Sequence, residues 1–368
     1  MGVVTVESLF EELADTIEGW AVPPSRIPGW TEPFGPWRAS IEEALRGLSQ
    51  DGRLARLDAF GRPLVESLMA IATRPLWGFF ATPQERNRAL GEVVQNVANP
   101  GRINQGLKGS CAAACLEIYL ASQDPAEYAR IVAGLLSIDG RARLRSGEAL
   151  VCDEDVLAPS ADERGRSPVS RLFQVACMEF AYPDLDYDNI LDTHFKGDEC
   201  VGTGLEMGAF ERLLIAVTGK PWKTVSTQHA LMAQAFLKLG ISTEGVADLA
   251  RDGLSIIDQS TQKGELVFAT IVLPAVANLR GAPGSEPIRH AEHKVLVSSI
   301  DWEAGVVHYD DPIDPRERWF EGADVRIEDE YGRCSMPIAD FERLLGELAY
   351  RAELWDRSLP RPTAHGRG

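Results

Sequence analysis

The stretch Asn104-Gln105-Gly106-Leu107-Lys108-Gly109-Ser110-Cys111 places a cysteine directly before a predicted helix, which continues to Ala121. The amides at the start of that helix point at the sulfur and stabilise a thiolate over a thiol. Glycines at 106 and 109 let the backbone approach a substrate carbonyl closely. The Gln105 side chain can donate to the oxyanion that forms when a thiolate attacks a carbonyl. The octet therefore predicts Cys111 as a nucleophile, Gln105 as an oxyanion donor, and Gly109 and Ser110 as substrate-binding residues.

The charge of the chain limits the classes of partner. Its 368 residues carry 55 Asp and Glu against 37 Lys and Arg, a formal net charge of −18. This balance argues against a nucleic-acid partner and against an anionic membrane surface. The negative charge has two interpretations. It suits a basic protein or peptide substrate, or it serves only to keep the protein in solution. The length suits two domains or one elaborated domain. The oligomeric state is left open.

The N-terminus and the cysteines bear on the cellular compartment. Residues 1–7 lack a basic region followed by an apolar run, so no signal peptide is predicted, and no stretch approaches the roughly 20 apolar residues of a membrane span. No Cys-x-x-Cys motif occurs, so the thiols are expected to be reduced and the protein cytoplasmic. Export by a leaderless route is left open. The six cysteines are Cys111, Cys115, Cys152, Cys177, Cys200 and Cys334.

Hydrophobic spacing predicts an α+β chain, with helices first and a sheet later. Residues 1–95 are predicted as a mostly helical N-terminal region, residues 96–350 as the catalytic domain and residues 351–368 as a polar tail. The N-terminal region has three open roles: an inhibitory pro-region, a partner-binding domain or a delivery segment. Helices are predicted over 6–20, 41–48, 54–71, 111–121, 125–136, 169–180, 207–218, 227–239 and 244–258, and irregular structure over 153–167 and 184–204.

A hairpin is predicted near the C-terminal end of the catalytic region. Residues 266–273 form a short apolar run typical of a buried strand, and residues 294–300 and 306–309 flank a turn over 301–305. A cysteine on a helix and a second group on this sheet would supply the two parts of a thiol active site.

A thiol nucleophile needs an imidazole to accept its proton. With three to five residues in the turn, His293 lies opposite residues 311–313, so Asp311 can accept from the imidazole and fix its tautomer. His308 would pair near residue 297, roughly 10 Å along the strand from that position. The sequence favours His293, with His290 as the rival, and gives His194, His229 and His365 no catalytic role.

The octet resembles the nucleophile segment of papain-like cysteine peptidases, Asn-Gln-Gly-x-x-Gly-Ser-Cys, at all six specified positions. His293-Lys294-Val295 followed by Asp311-Pro312 looks like the His-x-Val…Asp-Pro arrangement of bacterial papain-fold peptidases related to bacteriocin-leader-processing enzymes. Two positions depart from the family pattern: Ala112 replaces the usual Trp, and Lys108 replaces the cysteine that forms a disulfide in secreted members. The resemblance implies a papain-like fold whose helical half carries the cysteine and whose antiparallel sheet carries the histidine and the aspartate.

The predicted activity is that of a cysteine peptidase acting on protein or peptide through a thioester. Transglutaminase or deamidase activity on a protein glutamine is the enzymatic alternative, and an inactive papain-fold binding module is the alternative from another class. Cys115 is expected in the core, with a resolving thiol as the lesser alternative. The cluster His290-Ala291-Glu292-His293 lacks the helix and the third ligand of a metal site, so neither a metal nor a cofactor is predicted.

Overall fold

The computed structural model describes residues 5–20, 34–153, 156, 165–226, 249–274, 290–313, 323–329 and 331–359. These residues belong to two compact units, residues 1–203 and residues 204–368. Both contain helices and antiparallel sheets, which confirms the α+β prediction. None of the helices in the described part of the chain combines the length and the apolar content that a membrane crossing requires.

The first unit is built mainly from helices around α5. Ala112 to Ala121 of this helix are all buried, because the sequence is apolar on every side, as in a central helix. Helices α4, α6 and α7 contact α5. The helices are α1 (Val6–Glu18), α2 (Phe34–Gln50), α3 (Leu64–Thr73), α4 (Pro83–Ala98), α5 (Cys111–Gln123), α6 (Pro125–Leu136) and α7 (Pro168–Ala181).

The helix predicted over 54–71 is wrong in its first half. A short 3-10 turn spans Arg53–Ala55, and α3 begins only at Leu64. Between them the Asp58 carboxylate accepts the backbone N–H groups of Phe60 and Arg62, at 2.8 and 2.9 Å. This side-chain-closed turn satisfies the backbone locally, and Pro63 then disfavours helical geometry in the residue before it.

The connection predicted as irregular over 184–204 is also wrong, because it forms a three-stranded antiparallel sheet. Its strands are β3 (Asp186–Asp188), β4 (Thr193–Lys196) and β5 (Glu199–Gly202). Asp192 and Gly197 adopt left-handed backbone angles, with φ of +57° and +61°, before and after β4. The Asp and Gly content therefore marks the tight turns of a small sheet. A further hairpin pairs β1 (Arg141–Arg143) with β2 (Ala149–Val151).

The second unit contains a seven-stranded antiparallel sheet with the order β10-β11-β9-β8-β7-β12-β6. Its strands are β6 (Trp222–Ser226), β7 (Val267–Pro274), β8 (His290–Asp301), β9 (Val306–Asp310), β10 (Arg326–Ile327), β11 (Arg333–Pro337) and β12 (Leu345–Arg351). Its helices are α8 (Met207–Thr218), α9 (Leu249–Gln262) and α10 (Ile338–Leu344). Side chains of α9 and α10, including Ile256 and Phe341, pack with the strands in one core.

The hairpin of β8 and β9 forms at the predicted turn. Asp301 pairs with Val306, and the Asp301 carboxylate accepts the N–H groups of Glu303 and Ala304 at 2.9 and 2.8 Å. Gly305 completes the turn at φ +71°. Local turn chemistry thus sets the register beside the turn. A β-bulge between Val297 and Ser299 then shifts the register by one residue on the side of His293.

The predicted region boundaries differ from the division into units. Helix α4 runs through residues 95 and 96, and the units divide at residue 203. The start of the predicted tail packs on the second unit, where the rings of Tyr350 and Trp355 lie 6.1 Å apart. The predicted helix over 227–239, His229 and His365 lie outside the described residues.

Candidate catalytic residues

Cys111 is the first residue of α5 and is half-buried, whereas the helix behind it is buried. The first backbone bond of the helix runs from the Ala114 N–H to the Ser110 carbonyl, at 2.9 Å. The amides of residues 111–113 therefore lie at the positive end of the helix dipole, where they favour a thiolate. Cys115, one turn later, is fully buried in the core, as predicted.

The loop before the cysteine is closed by its own side chains. Gly106 has φ +66°, and its N–H donates to Asn104 Oδ1 at 2.6 Å. Gln105 is buried, and its Nε2 donates to the Lys108 carbonyl at 2.8 Å. One amide hydrogen of Gln105 thus maintains the loop, so any oxyanion donation falls to the second hydrogen.

The two predicted substrate-binding residues direct polar groups toward the protein. The Gly109 N–H donates to Asp192 Oδ2 at 2.7 Å, and the fully buried Ser110 hydroxyl donates to Gln174 Oε1 at 2.9 Å. Ser110 therefore does not use its side chain to cap α5. A substrate contact at Gly109 or Ser110 would involve other backbone atoms.

A buried carboxylate network continues inward from Ser110. Gln174 Nε2 donates to Glu117 Oε2 at 2.9 Å, and the hydroxyls of Tyr128 and Ser170 donate to Glu117 Oε1 at 2.9 and 3.0 Å. Burial raises the pKa of Glu117 to about 7, although these three hydrogen bonds oppose the shift. The only sequence signal for this network is a single charged residue inside an apolar helix.

The turn between β3 and β4 contacts the loop before Cys111 at two adjacent residues. Asp192 accepts from Gly109, as described, and Lys108 Nζ donates to the Ile190 carbonyl at 3.1 Å. Asp192 Oδ1 also accepts the Tyr187 hydroxyl at 2.7 Å. These contacts were not predicted from the sequence, because they join residues more than 80 positions apart.

In the second unit, His293 and Asp311 come together as the hairpin arithmetic predicted. His293 Nε2 lies 2.9 Å from Asp311 Oδ1, and both residues are buried. Strand β9 ends at Asp310, which pairs with Leu296, so β8 extends past it on the side of His293. Asp311 follows directly and turns toward the imidazole.

Asp311 is itself held in place. Its N–H donates to the Gly332 carbonyl at 3.0 Å, and its Oδ1 accepts the Ile313 N–H at 2.9 Å. Two donors therefore face Oδ1, and we assign the ring hydrogen of His293 to Nε2. The lone pair of the neutral ring is then on Nδ1, the nitrogen that can act as a base.

The other histidines have different surroundings. His308 pairs with Ser299 rather than near residue 297, because the register set by Asp301 and Val306 at the turn continues unshifted to this pair. Its Nδ1 lies 2.8 Å from Glu328 Oε1. His194 is buried, with its ring nitrogens 3.4 and 3.3 Å from the Gly202 and Met178 carbonyls. Burial lowers the pKa of His194. His290 is the first residue of β8, and its side chain is outside the described part of the chain.

One set of three carboxylates in the described residues could be considered for a metal. Asp153, Glu179 and Asp186 bring oxygens within 4.8 Å of one another. Asp153 and Asp186 are exposed. Glu179 accepts the Tyr187 N–H at 2.8 Å, so its carboxylate has a structural role in holding β3. Exposed acidic groups often lie this close without an ion, so no metal is assigned.

Comparison with known proteins gives no family: no protein-family model matches the chain, and no curated protein matches its sequence.

Proposed function

We propose that this chain is a papain-like cysteine hydrolase that cleaves peptide or amide bonds. The observation that best supports the proposal is the buried pair of His293 and Asp311, with Nε2 and Oδ1 at 2.9 Å. The length of the turn between β8 and β9 independently predicts Asp311 as the partner of a histidine base. Cys111 at the N-terminus of α5 provides a suitable nucleophile.

In the proposed reaction, His293 Nδ1 takes the proton of the Cys111 thiol. The thiolate attacks the substrate carbonyl carbon and a C–S bond forms, giving a tetrahedral oxyanion that accepts from the Cys111 N–H and the second amide hydrogen of Gln105. Collapse breaks the C–N bond, and the imidazolium protonates the leaving amine. A thioester remains on Cys111.

The second half releases the acyl group. His293 takes a proton from water, and the resulting hydroxide attacks the thioester carbon. The C–S bond breaks, and the proton returns to the sulfur. The Asp311 carboxylate stabilises the imidazolium in both halves.

The substrate class follows from the chemistry and from the charge. The proposed acyl donor is an amide, which a protein or peptide supplies. A net charge of −18 favours basic substrates over acidic ones at long range.

The proposal is tested with wild type and Cys111→Ala on a denatured protein mixture, with the new termini mapped by mass spectrometry. New termini from wild type alone would support hydrolysis. If a primary amine is instead incorporated at glutamine side chains, the activity is acyl transfer. If wild type and Cys111→Ala show neither activity, or show it equally, and Cys111 does not react with a thiol reagent at neutral pH, the proposal is wrong and the result supports an inactive binding module.

A further inference from the structure

The turn between β3 and β4 ends at Asp192, whose carboxylate does not close the turn. Asp188 Oδ1 already closes the turn by accepting the N–H groups of Ile190 and Leu191, at 2.7 and 2.8 Å. The Asp192 carboxylate points elsewhere, to the Gly109 N–H and the Tyr187 hydroxyl, both at 2.7 Å. One of its two hydrogen bonds therefore joins the loop before Cys111, and the other joins Tyr187 in β3.

The setting of Asp192 is unfavourable for a charged carboxylate. Its φ of +57° is left-handed, a conformation that aspartate and asparagine adopt more readily than other residues with a Cβ. Burial raises the pKa of its carboxyl, so the charged form is costly there. Strained and desolvated groups of this kind are characteristic of functional positions. Tyr187, whose ring is buried, holds the carboxylate in one orientation.

Gly109 is two residues before the proposed nucleophile. Asp192 holds the Gly109 amide, and Gln174 holds the hydroxyl of the next residue, Ser110. Fixing these two residues fixes the peptide plane that presents the Cys111 N–H, the proposed oxyanion donor.

We infer that Asp192 is a positioning residue that orients the Cys111 backbone N–H toward the oxyanion through its hydrogen bond to Gly109. This inference rests on the proposed function of Cys111. Lys108, whose ammonium binds the Ile190 carbonyl, makes a second contact between the same turn and the same loop.

Two variants distinguish the hydrogen bonds of Asp192 from its charge. Asp192→Asn keeps an oxygen for the Gly109 N–H and offers an NH₂ group to the Tyr187 oxygen, and asparagine tolerates left-handed angles. Asp192→Ala removes both contacts. Ile131→Val, a buried change in α6, controls for a general loss of stability.

Two small reagents distinguish the orientation of the Cys111 N–H from the reactivity of the Cys111 thiol. Iodoacetamide alkylates a thiolate without forming an oxyanion, whereas acylation by p-nitrophenyl acetate passes through one. Both rates are taken as the difference from Cys111→Ala. We expect Asp192→Ala to lower the acylation rate by about 10-fold or more, with alkylation within about 2-fold of wild type. Asp192→Asn should restore acylation to within about 3-fold.

The inference is overturned if Asp192→Ala acylates at the wild-type rate, or if its acylation and alkylation rates fall by the same factor. Failure of the proposed function is a different result, in which wild type and Cys111→Ala behave alike with both probes. In that case amide hydrogen exchange still tests whether Asp192 holds the loop before Cys111. Protection of the peptide that contains Gly109 to Cys111 must fall in Asp192→Ala and return in Asp192→Asn. Equal protection in all three proteins refutes a positioning role for Asp192.

Discussion

Asp311 Oδ1 lies between two donors, the imidazole Nε2 of His293 and the Ile313 N–H, each at 2.9 Å. The Ile313 N–H therefore fixes the position of this oxygen independently of the imidazole. This arrangement makes a carboxamide oxygen an acceptable substitute, because both donors would still find an acceptor at the same point.

We therefore expect Asp311→Asn to keep the tautomer of His293 and to lower kcat/KM by less than about 10-fold. Asp311→Ala loses the acceptor that orients His293, and kcat/KM should fall by up to the usual contribution of the general base, about 10²–10⁴-fold. Asp310→Asn, at the last residue of β9, is the neighbouring control. Equal loss in the Asn and Ala variants at 311 would show that the charge, and not the acceptor, is what His293 requires.

The buried Glu117 carboxyl predicts a pH dependence of stability. Its pKa is about 7 in the folded protein against 4.5 in an ordinary environment, so the folded state binds the proton more tightly. The favourable contribution is complete below pH about 4.5 and is lost as the pH rises through about 7, a change of about 3 kcal/mol. In Glu117→Gln this fall is absent.

Urea unfolding at pH 5 and pH 8 measures the effect. The free energy of unfolding should decline less between these values in Glu117→Gln than in wild type, whereas Glu7→Gln, on the exposed face of α1, should follow wild type. Parallel declines in all three proteins would contradict the assignment of the shift to Glu117.

One substitution made at two glycines should have opposite effects. Gly106 has φ +66° in the loop before Cys111, and alanine there is strained by about 1–2 kcal/mol. Gly47 is inside α2, and a Cβ there meets nothing within 4 Å. Gly47→Ala should stabilise the protein by up to about 1 kcal/mol.

Thermal unfolding and acylation by p-nitrophenyl acetate report on both variants. Gly106→Ala should lower both the melting temperature and the acylation rate, and Gly47→Ala should leave the rate at the wild-type value. A Gly106→Ala protein with wild-type acylation would mean that the loop geometry is not required at the thiol.

The parts of the structure that sequence predicted are those with local signals. Helix α5 follows from an apolar run in which Glu117 is the one charged residue, and α8 follows from its stop at Gly219, which is left-handed at φ +65°. The hydrogen bond between His293 and Asp311 was predicted from the hairpin that turns at Asp301, and it forms although a β-bulge between Val297 and Ser299 shifts the register by one residue. The catalytic roles of these residues stay predictions.

The parts that sequence missed depend on contacts between distant segments. Asp192 reaches Gly109 across 83 positions, and Gln174 reaches Ser110 across 64. No spacing rule links such residues. The sheet of β3 to β5 was missed because its strands are three or four residues long, too short for alternation to stand out among Asp and Gly.

The central claim, that Cys111 and His293 act in one reaction, is tested most directly by the rate of Cys111 alkylation with iodoacetamide from pH 4 to pH 10. Mass spectrometry of the Cys111 peptide separates it from the other five thiols. A thiolate–imidazolium pair predicts reactivity well below pH 8.5, the ordinary thiol pKa, in wild type and His308→Ala. In His293→Ala the profile should move to that of an ordinary thiol, with at least a 10-fold lower rate at pH 6. Superimposable profiles for wild type and His293→Ala would contradict the account.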